Sequence, residues 1–191
     1  ALQRKTKSLV QRIHSKIVKS FPNITVTTKA REKALISYFH KILICLKEGR
    51  PLSDILDARA CRIIIDKIDQ NCTNEELIIE LCKVVNTTLT YLIYKGYQPL
   101  PAPPAKDTSK FDPALHPDVY VPKRSYIASE YVVYVKNYVN TPKEYGYQSF
   151  HVLVKSPEGD VLEIQFRTYD MDFYAEHKLA DHDTYKKEQI K

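Results

Sequence analysis

The feature that most constrains this chain is a pair of alternating segments towards its C-terminal end. Residues Gln148–Lys155 and Val161–Thr168 each alternate apolar with polar side chains, and Pro157–Asp160 lies between them. A period of two is typical of a half-buried β-strand, and a short connection containing Gly is typical of a hairpin. The two segments are therefore predicted to form an antiparallel hairpin in a sheet.

Helical patterns precede this hairpin. Amphipathic helices are predicted over residues 2–20 and from about Arg31 to Lys47, with a short β-rich run at Ile24–Thr27 between them. In the second helix, the residues predicted to point inward are Leu35, Phe39, Ile42 and Leu46.

The middle of the chain mixes strand and helix signals. Ala60–Ile65 and Tyr131–Val135 have the composition of strands. Thr73 and Glu76 have the spacing of a capping box, which predicts the start of a long helix, and a closing helix is expected from Asp170 to about His182. Strands clustered after helices predict an α+β fold, in which a mixed, mostly antiparallel sheet is flanked by helices.

Positive charge is concentrated in the first quarter of the chain. Residues 1–50 contain twelve Lys or Arg residues and two acids. Such a field favours phosphorylated or nucleic-acid ligands, although Lys-rich outer faces of solvated helices would produce the same count. The whole chain has four Gly residues, which argues against Gly-rich phosphate loops. Phosphates would have to be bound mainly by side chains.

The cysteines and the hydropathy pattern suggest a cytoplasmic protein. The four Cys residues show no CxxC spacing and lie mostly in apolar surroundings, so buried free thiols in a reducing compartment are expected. No uninterrupted apolar run reaches the roughly 18 residues of a membrane span. The first twenty residues lack the apolar core of a secretory signal.

Two acids are candidates for a metal site. Asp57 precedes the apolar strand Ala60–Ile65, and Glu163 lies inside the second hairpin strand. Carboxylates from neighbouring strand ends suit Mg²⁺, which takes oxygen ligands and bridges nucleotide phosphates. Alternation places Glu163, Gln165 and Arg167 on one face, which is either solvent or a site. The alternative is that the two acids are unrelated surface carboxylates.

The predicted start of the second helix is a candidate anion site. Free backbone N–H groups at a helix N-terminus bind anions. Arg31, Lys33 and Ser37 would add positive charge and a hydroxyl there. The alternative is a solvated basic face.

A third cluster combines cations with an aromatic residue. Lys136 and Lys143 precede Gly146, which permits a tight turn. An exposed ring at Tyr147 could stack on a base. The alternative is a strand-entry turn with a packed Tyr.

Taken in order, these clusters resemble the motifs of the RelA/SpoT synthetase family. The match covers about residues 25–186 and is specific because several motifs occur together. The matching segments are Arg31-Glu32-Lys33 with Ser37 and Lys41, Asp57–Arg62, Lys136–His151, Glu163–Thr168, and Met171-Asp172-Phe173 with Glu176–Leu179.

This resemblance implies a nucleotidyltransferase-like synthetase that transfers the pyrophosphate of ATP to a ribose 3′-hydroxyl. It implies that Asp57 and Glu163 hold Mg²⁺ and that Glu163 orients or deprotonates the attacking hydroxyl. ATP contacts are implied for Arg31, Lys33, Ser37, Arg62 and His151, with Arg31 and Arg62 on either side of the adenine. Acceptor contacts are implied for Lys136, Lys143, Tyr147 and Gln165.

The resemblance also sets an expected layout. A single synthetase domain would span residues 1–191, with N-terminal basic helices over about 1–48 and an insertion of roughly thirty residues at about 102–135. Three positions depart from the family pattern: Tyr145 replaces the usual Asn before Gly-Tyr, Asn137 replaces the Asp after the first lysine, and Asp183 replaces the Trp of the closing motif found in long members.

This resemblance does not identify the molecule that accepts the pyrophosphate. Transfer to GDP or GTP would make (p)ppGpp. Toxin-type relatives modify the 3′-CCA end of tRNA instead and imply a protein antitoxin as partner. The basic N-terminal quarter, with a candidate tRNA track at Lys5, Lys7 and Arg12, favours that reading. Synthesis of (p)ppApp and an inactive nucleotide- or RNA-binding domain are further alternatives, and retention of both Asp57 and Glu163 argues against the last.

Overall fold

A computed structural model describes residues 2–32, 35–49, 59–100, 135–140, 142 and 146–177. The helices are α1 (Leu2–Ser20), α2 (Leu35–Lys47), α3 (Asn74–Tyr94) and α4 (169–177). The strands are β1 (Ile24–Glu32), β2 (Arg59–Lys67), β3 (Gln98–Leu100), β4 (Lys136–Asn137), β5 (Phe150–Lys155) and β6 (Val161–Thr168).

All six strands belong to one sheet of order β1-β2-β6-β5-β3, with β4 also paired to β5. β2 and β6 are parallel, and the other described pairs are antiparallel. The predicted α+β class and the β5–β6 hairpin are both confirmed. Gly159 in the hairpin turn has a φ of 92° and donates its N–H to the carbonyl of Ser156 at 2.9 Å.

The core lies between one face of this sheet and the helices α1 and α3. Alternation supplies the sheet face, and helical spacing supplies the apolar stripes that pack on it. The fully buried members include Ile13, Ile17, Cys61, Ile63, Ile65, Leu81, Val84, Leu89, Ile164 and Phe166. The opposite face of the central strands is therefore left for polar side chains.

The long helix α3 begins as predicted. Thr73 Oγ1 accepts the backbone N–H of Glu76, and Glu76 Oε2 accepts the N–H of Thr73 at 2.8 Å. By length and composition, α3 is the one helix of the described chain that could cross a membrane. Its residues Leu81, Val84 and Leu92 are fully buried in the core, as expected for the central helix of a folded domain.

The N-terminal segment differs from the prediction in two ways. Residues up to Glu32 continue β1, so the second helix begins at Leu35 rather than near Arg31. All nine residues of β1 pair with β2, and this pairing outweighs the weak strand propensity of the last four. Phe39 and Leu46, predicted to point inward, are 58% and 62% exposed. Apolar residues occupy most positions of α2, so their spacing does not identify its inner face.

Some predicted features lie outside the described residues. These are the strand Tyr131–Val135 and the insertion at about 102–135, except for the buried Val135, and the closing helix beyond residue 177.

The cysteine prediction is confirmed: all four thiols are free, and Cys45, Cys61 and Cys82 are buried. Burial raises the pKa of the Cys61 thiol to about 12. At pH 8 only about one molecule in ten thousand would then carry the reactive thiolate at this position. We expect iodoacetamide to leave Cys61 unmodified in the folded protein and to alkylate it in urea, as measured by peptide mass spectrometry. The half-buried Cys72 is the internal control, and native labelling of Cys61 ahead of Cys72 would contradict this prediction.

Candidate functional site

A row of polar residues crosses the sheet on the face opposite the core. In the strand register, Arg62 of β2 pairs with Gln165 of β6, and Gln165 pairs with His151 of β5. The row extends to Lys29 on β1 and to Lys136 on β4. Register and alternation together therefore align five residues from five strands on one face.

Glu163 lies beside this row, two residues before Gln165 on β6. Its side chain is buried, with the residue 9% exposed. His151 Nδ1 lies 3.1 Å from Glu163 Oε1, and Gln165 Nε2 donates to Glu163 Oε2 at 2.8 Å. In the register Glu163 pairs with Ala60, three residues after Asp57. Asp57 itself lies outside the described residues.

A chain of hydrogen bonds leads away from Glu163. Tyr147 Oη lies 2.9 Å from His151 Nε2, and Arg167 donates to the same Tyr147 oxygen at 2.6 Å. Arg167 can only donate, so Tyr147 accepts from it. A carboxylate oxygen accepts, so His151 directs an Nδ1–H at Glu163. The imidazole thus links a buried carboxylate to a phenol.

Asp172, near the start of α4, accepts hydrogen bonds from three cations of the site. Its carboxylate accepts from Arg167 at 3.0 Å, from Lys29 at 3.0 Å and from Arg62 at 3.5 Å. Arg167 is 2% exposed, and Arg62 is also buried and pairs with Glu176. Buried guanidinium groups require such partners because an unpaired buried charge is very costly. Asp172 therefore fixes both arginines against the sheet.

Gln165 connects the Glu163 carboxylate to the two buried arginines of the network. Its Oε1 accepts from Arg62 at 3.3 Å and from Arg167 at 3.1 Å, while its amide donates to Glu163. Among the described residues, the network contains three cations and three carboxylates, whose charges balance: Lys29, Arg62, Arg167, Glu163, Asp172 and Glu176.

Two tyrosine rings pack against the His151 imidazole. Tyr138 meets Tyr147 and His151 edge to face, with ring centroids 6.3 and 5.2 Å apart. Burial and the neighbouring Glu163 carboxylate raise the pKa of Tyr138. Gly146 has a φ of 78°, and a Cβ there would lie 3.3 Å from Tyr174 Oη. Gly146 therefore has the left-handed backbone conformation that a tight turn before Tyr147 would need.

The structure brings several predicted residues together. Arg62, His151, Tyr147, Gln165 and Glu163 share one hydrogen-bonded network, and Lys136 adjoins it as the register partner of His151. Arg31 is not at a helix start. It is the β1 residue that pairs with Ala60, and Ala60 pairs with Glu163.

Other predicted residues lie elsewhere. Ser37 is in the first turn of α2, and Lys33 and Lys143 are outside the described residues. Lys5, Lys7 and Arg12 belong to α1, which packs on the core face of the sheet. The structure therefore does not bring the candidate tRNA track to the face that carries Glu163.

A magnesium site fits the chemistry of Glu163, whose carboxylate oxygens are the ligands that Mg²⁺ prefers. Within the described part of the chain, no three His, Cys, Asp or Glu side chains form a metal-binding group. Because Asp57 is not described, the ligand pair of Asp57 and Glu163 stays a prediction.

Several residues that the structure places in the network were not predicted to have a role. Lys29, Tyr138, Asp172 and Glu176 all contact it. Two features of the sequence could have indicated Asp172. Arg167 shares a strand face with Glu163, and a buried Arg needs an acid nearby. Asp172 is the nearest acid in the helix that follows, apart from Asp170.

Three comparisons place this chain among known proteins. Residues 121–190 match the model of a region found in RelA and SpoT proteins. A guanosine-3′,5′-bis(diphosphate) 3′-pyrophosphohydrolase of Vibrio cholerae is 29% identical over 182 residues, which is 94% of this chain and 19% of that protein. A GTP pyrophosphokinase of Streptomyces antibioticus is 44% identical over 55 residues, 29% of this chain and 6% of that protein. The chain spans about a fifth or less of the length of these relatives.

Solved structures share the fold. The small alarmone synthetase 1 of Bacillus subtilis superposes with a TM-score of 0.53 at 17% identity, covering 96% of this chain and 76% of that one. The small alarmone synthetase 2 of the same organism gives 0.53 at 20% identity, with 97% and 78% covered. The first has also been solved bound to its product pppGpp.

Proposed function

Since this chain is of the RelA/SpoT type, we propose that it is a pyrophosphokinase that transfers the pyrophosphate of ATP to the 3′-hydroxyl of GDP or GTP. The observation that carries this proposal is the Glu163 carboxylate, buried among polar partners on the face of the sheet opposite the core and bonded to His151 and Gln165. The fold shared with the Bacillus subtilis synthetase supports it. So do the motifs that contain Arg62, Lys136, His151 and Glu163.

In this mechanism Glu163 orients the 3′-hydroxyl and accepts its proton. The 3′-oxygen attacks the β-phosphorus of ATP, the bond from that phosphorus to the oxygen bridging to the α-phosphorus breaks, and AMP leaves. Because His151 donates Nδ1–H to Glu163 and is held in turn by Tyr147, the carboxylate is fixed before substrate binds. Positioned proton transfer of this kind contributes about 10²- to 10⁴-fold.

Phosphate charge is met by residues outside the balanced network. Lys136 is half-buried at the edge of the row, and we assign it to the phosphates together with Arg31, Lys33, Ser37 and Lys143. Asp57 and Glu163 would hold Mg²⁺, which would neutralise developing charge on the transferred group. The protein then contributes mainly positioning and electrostatic stabilisation.

Arg62 is assigned to the adenine of ATP, with Arg31 on the other side. A planar guanidinium suits stacking on a base. Arg62 is bound by Gln165, Asp172 and Glu176. Glu176 is the exposed partner, with 46% of its side chain accessible, so it is the contact that adenine displaces. The remaining two contacts keep the guanidinium plane in place.

The acceptor is tested by radiolabel transfer. The full chain is incubated with Mg²⁺ and ATP labelled at the γ-phosphate, and GDP, GTP, AMP and deacylated tRNA are offered separately. We expect label in ppGpp and pppGpp, resolved by thin-layer chromatography. The GDP and GTP assignment is wrong if label enters only AMP or only tRNA. A chain that labels no acceptor would be the inactive binding domain instead.

A second candidate function is pyrophosphorylation of the 3′ end of tRNA, with an antitoxin as partner. The observation that favours it is charge: α1 and β1 carry eight Lys or Arg residues and a single acid, Glu32. For this function, replacing Lys5, Lys7 and Arg12 with Ala should reduce tRNA transfer far more than GDP transfer. Phosphate contacts should also make tRNA transfer fall steeply with salt. Replacing Lys83, Lys95 and Lys155 removes equal charge elsewhere and is the matched control.

A further inference from the structure

Among the described strands, β1 lies at one edge of the sheet. In the described sheet its strand partner is β2. Pairing on one side satisfies alternate backbone groups of an antiparallel strand, and the others are directed outward. The first five residues, Ile24–Thr28, are all β-branched and contain no Pro, so this edge is regular enough to accept another strand.

A groove runs along this edge beneath α1. It has a volume of about 590 Å³ and is lined by Gln11, His14, Ser15, Val26, Thr27 and Thr28. The buried Nδ1 of His14 has no hydrogen-bond partner in the part of the chain that the structure describes, although a buried polar atom normally has one. Gln11 and Ser15 are exposed on the same side of α1. The groove therefore combines a strand edge with unused polar groups that could bind a main chain.

The charge of α1, which contributes three residues to the groove, indicates which occupant fits. This helix carries six Lys or Arg residues and no acid, so it would repel the same surface of a second copy and attract an acidic segment. Single-stranded nucleic acid is bound by aromatic stacking, and no Phe, Tyr or Trp is among the described residues that line this groove. The groove therefore fits an acidic peptide better than a second copy or RNA.

We propose that the groove between α1 and β1 binds an extended acidic segment of a partner protein, which adds to the edge of β1 as a further strand. In this mode main-chain hydrogen bonds supply affinity, and alternate side chains supply specificity. The site is independent of the proposed enzyme activity, because α1 covers the face of the sheet opposite Glu163.

The first test uses backbone-modified probes on the intact chain. A fluorescein-labelled decapeptide of alternating Glu and Val is titrated and its anisotropy followed. Two further forms carry N-methyl groups on all Val or on all Glu residues. Since one set alone faces β1, one methylated form should bind at least about tenfold more weakly and the other within about threefold. Equal binding of all three forms, or no binding of the unmodified peptide, would overturn the proposal. A Lys-Val decapeptide should not bind.

The second test locates the peptide. Peptide binding should slow amide exchange in Ile24–Thr28, and a variant with Gln11, His14 and Ser15 replaced by Ala should bind at least about fivefold more weakly. Lys16→Ala, on the other flank of α1, is the matched control and should stay within about twofold. Slower amide exchange elsewhere in the chain would contradict the proposal. So would a β1-mediated dimer that excludes the peptide in light scattering, or displacement of the peptide by a single-stranded RNA dodecamer that protects the same amides.

Discussion

The Glu163→Gln variant is expected to lose at least about a thousandfold in pyrophosphate transfer while keeping its fold and its affinity for ATP. Gln has the same shape but cannot accept the proton of the 3′-hydroxyl, a role that contributes about 10²- to 10⁴-fold. It also removes one negative charge from the proposed Mg²⁺ site. Both effects act on the transition state, so kcat should fall and the KM for ATP should change little.

This substitution has a small structural cost. Gln165 and His151 both donate to the Glu163 carboxylate, and an amide can accept from one of them while its NH₂ faces the other. We expect a loss of about 1–3 kcal/mol in the free energy of unfolding, which urea denaturation followed by circular dichroism measures. Glu158→Gln, in the exposed hairpin turn, is the matched control for activity. If Glu163→Gln retained a tenth or more of the wild-type kcat, Glu163 would not be the base.

Asp172→Ala is expected to lower the free energy of unfolding by about 3–5 kcal/mol, the range for breaking a buried ion pair. The variant leaves Arg167, which is 2% exposed, bonded to Gln165 and Tyr147 but without the carboxylate of Asp172. Arg62 would keep Glu176. The free energy of unfolding of an ordinary domain is about 5–15 kcal/mol, so this one change would remove a large share of it.

Urea denaturation compares this variant with two others. Asp170→Ala removes an exposed acid from the same turn of α4 and should cost no more than about 1 kcal/mol. Lys29→Ala removes the half-exposed partner of Asp172, and solvent screening limits its cost to a similar value. An Asp172→Ala variant as stable as Asp170→Ala would show that Asp172 does not hold the buried arginines.

The sequence was informative where structure is local. The capping box at Thr73, the β5–β6 hairpin and the shared face of Glu163, Gln165 and Arg167 all follow from spacing, and all are confirmed. Spacing could not decide whether that shared face met solvent or a site. The answer depends on Asp172 and Arg62, which reach it from other elements of the fold.

The errors also have a physical cause. Lys29, Ala30, Arg31 and Glu32 have little strand propensity, and they are held in β1 by pairing with β2. The start of α2 was therefore predicted about four residues too early. Arg31 is therefore not at a helix N-terminus. It lies in β1, in register with Ala60, which in turn pairs with Glu163.

The parallel pairing of β2 with β6 has a consequence for when the polar row forms during folding. Arg62 and Gln165, partners across this pair, are 103 residues apart in the chain. Closing so long a loop is entropically costly, and non-local contacts slow folding. Helix α3 and the β5–β6 hairpin can form from neighbouring residues, but the polar row does not exist until β6 docks beside β2. Because synthesis proceeds from the N-terminus, a nascent chain cannot assemble the polar row, and with it the proposed active site, until β6 has left the ribosome.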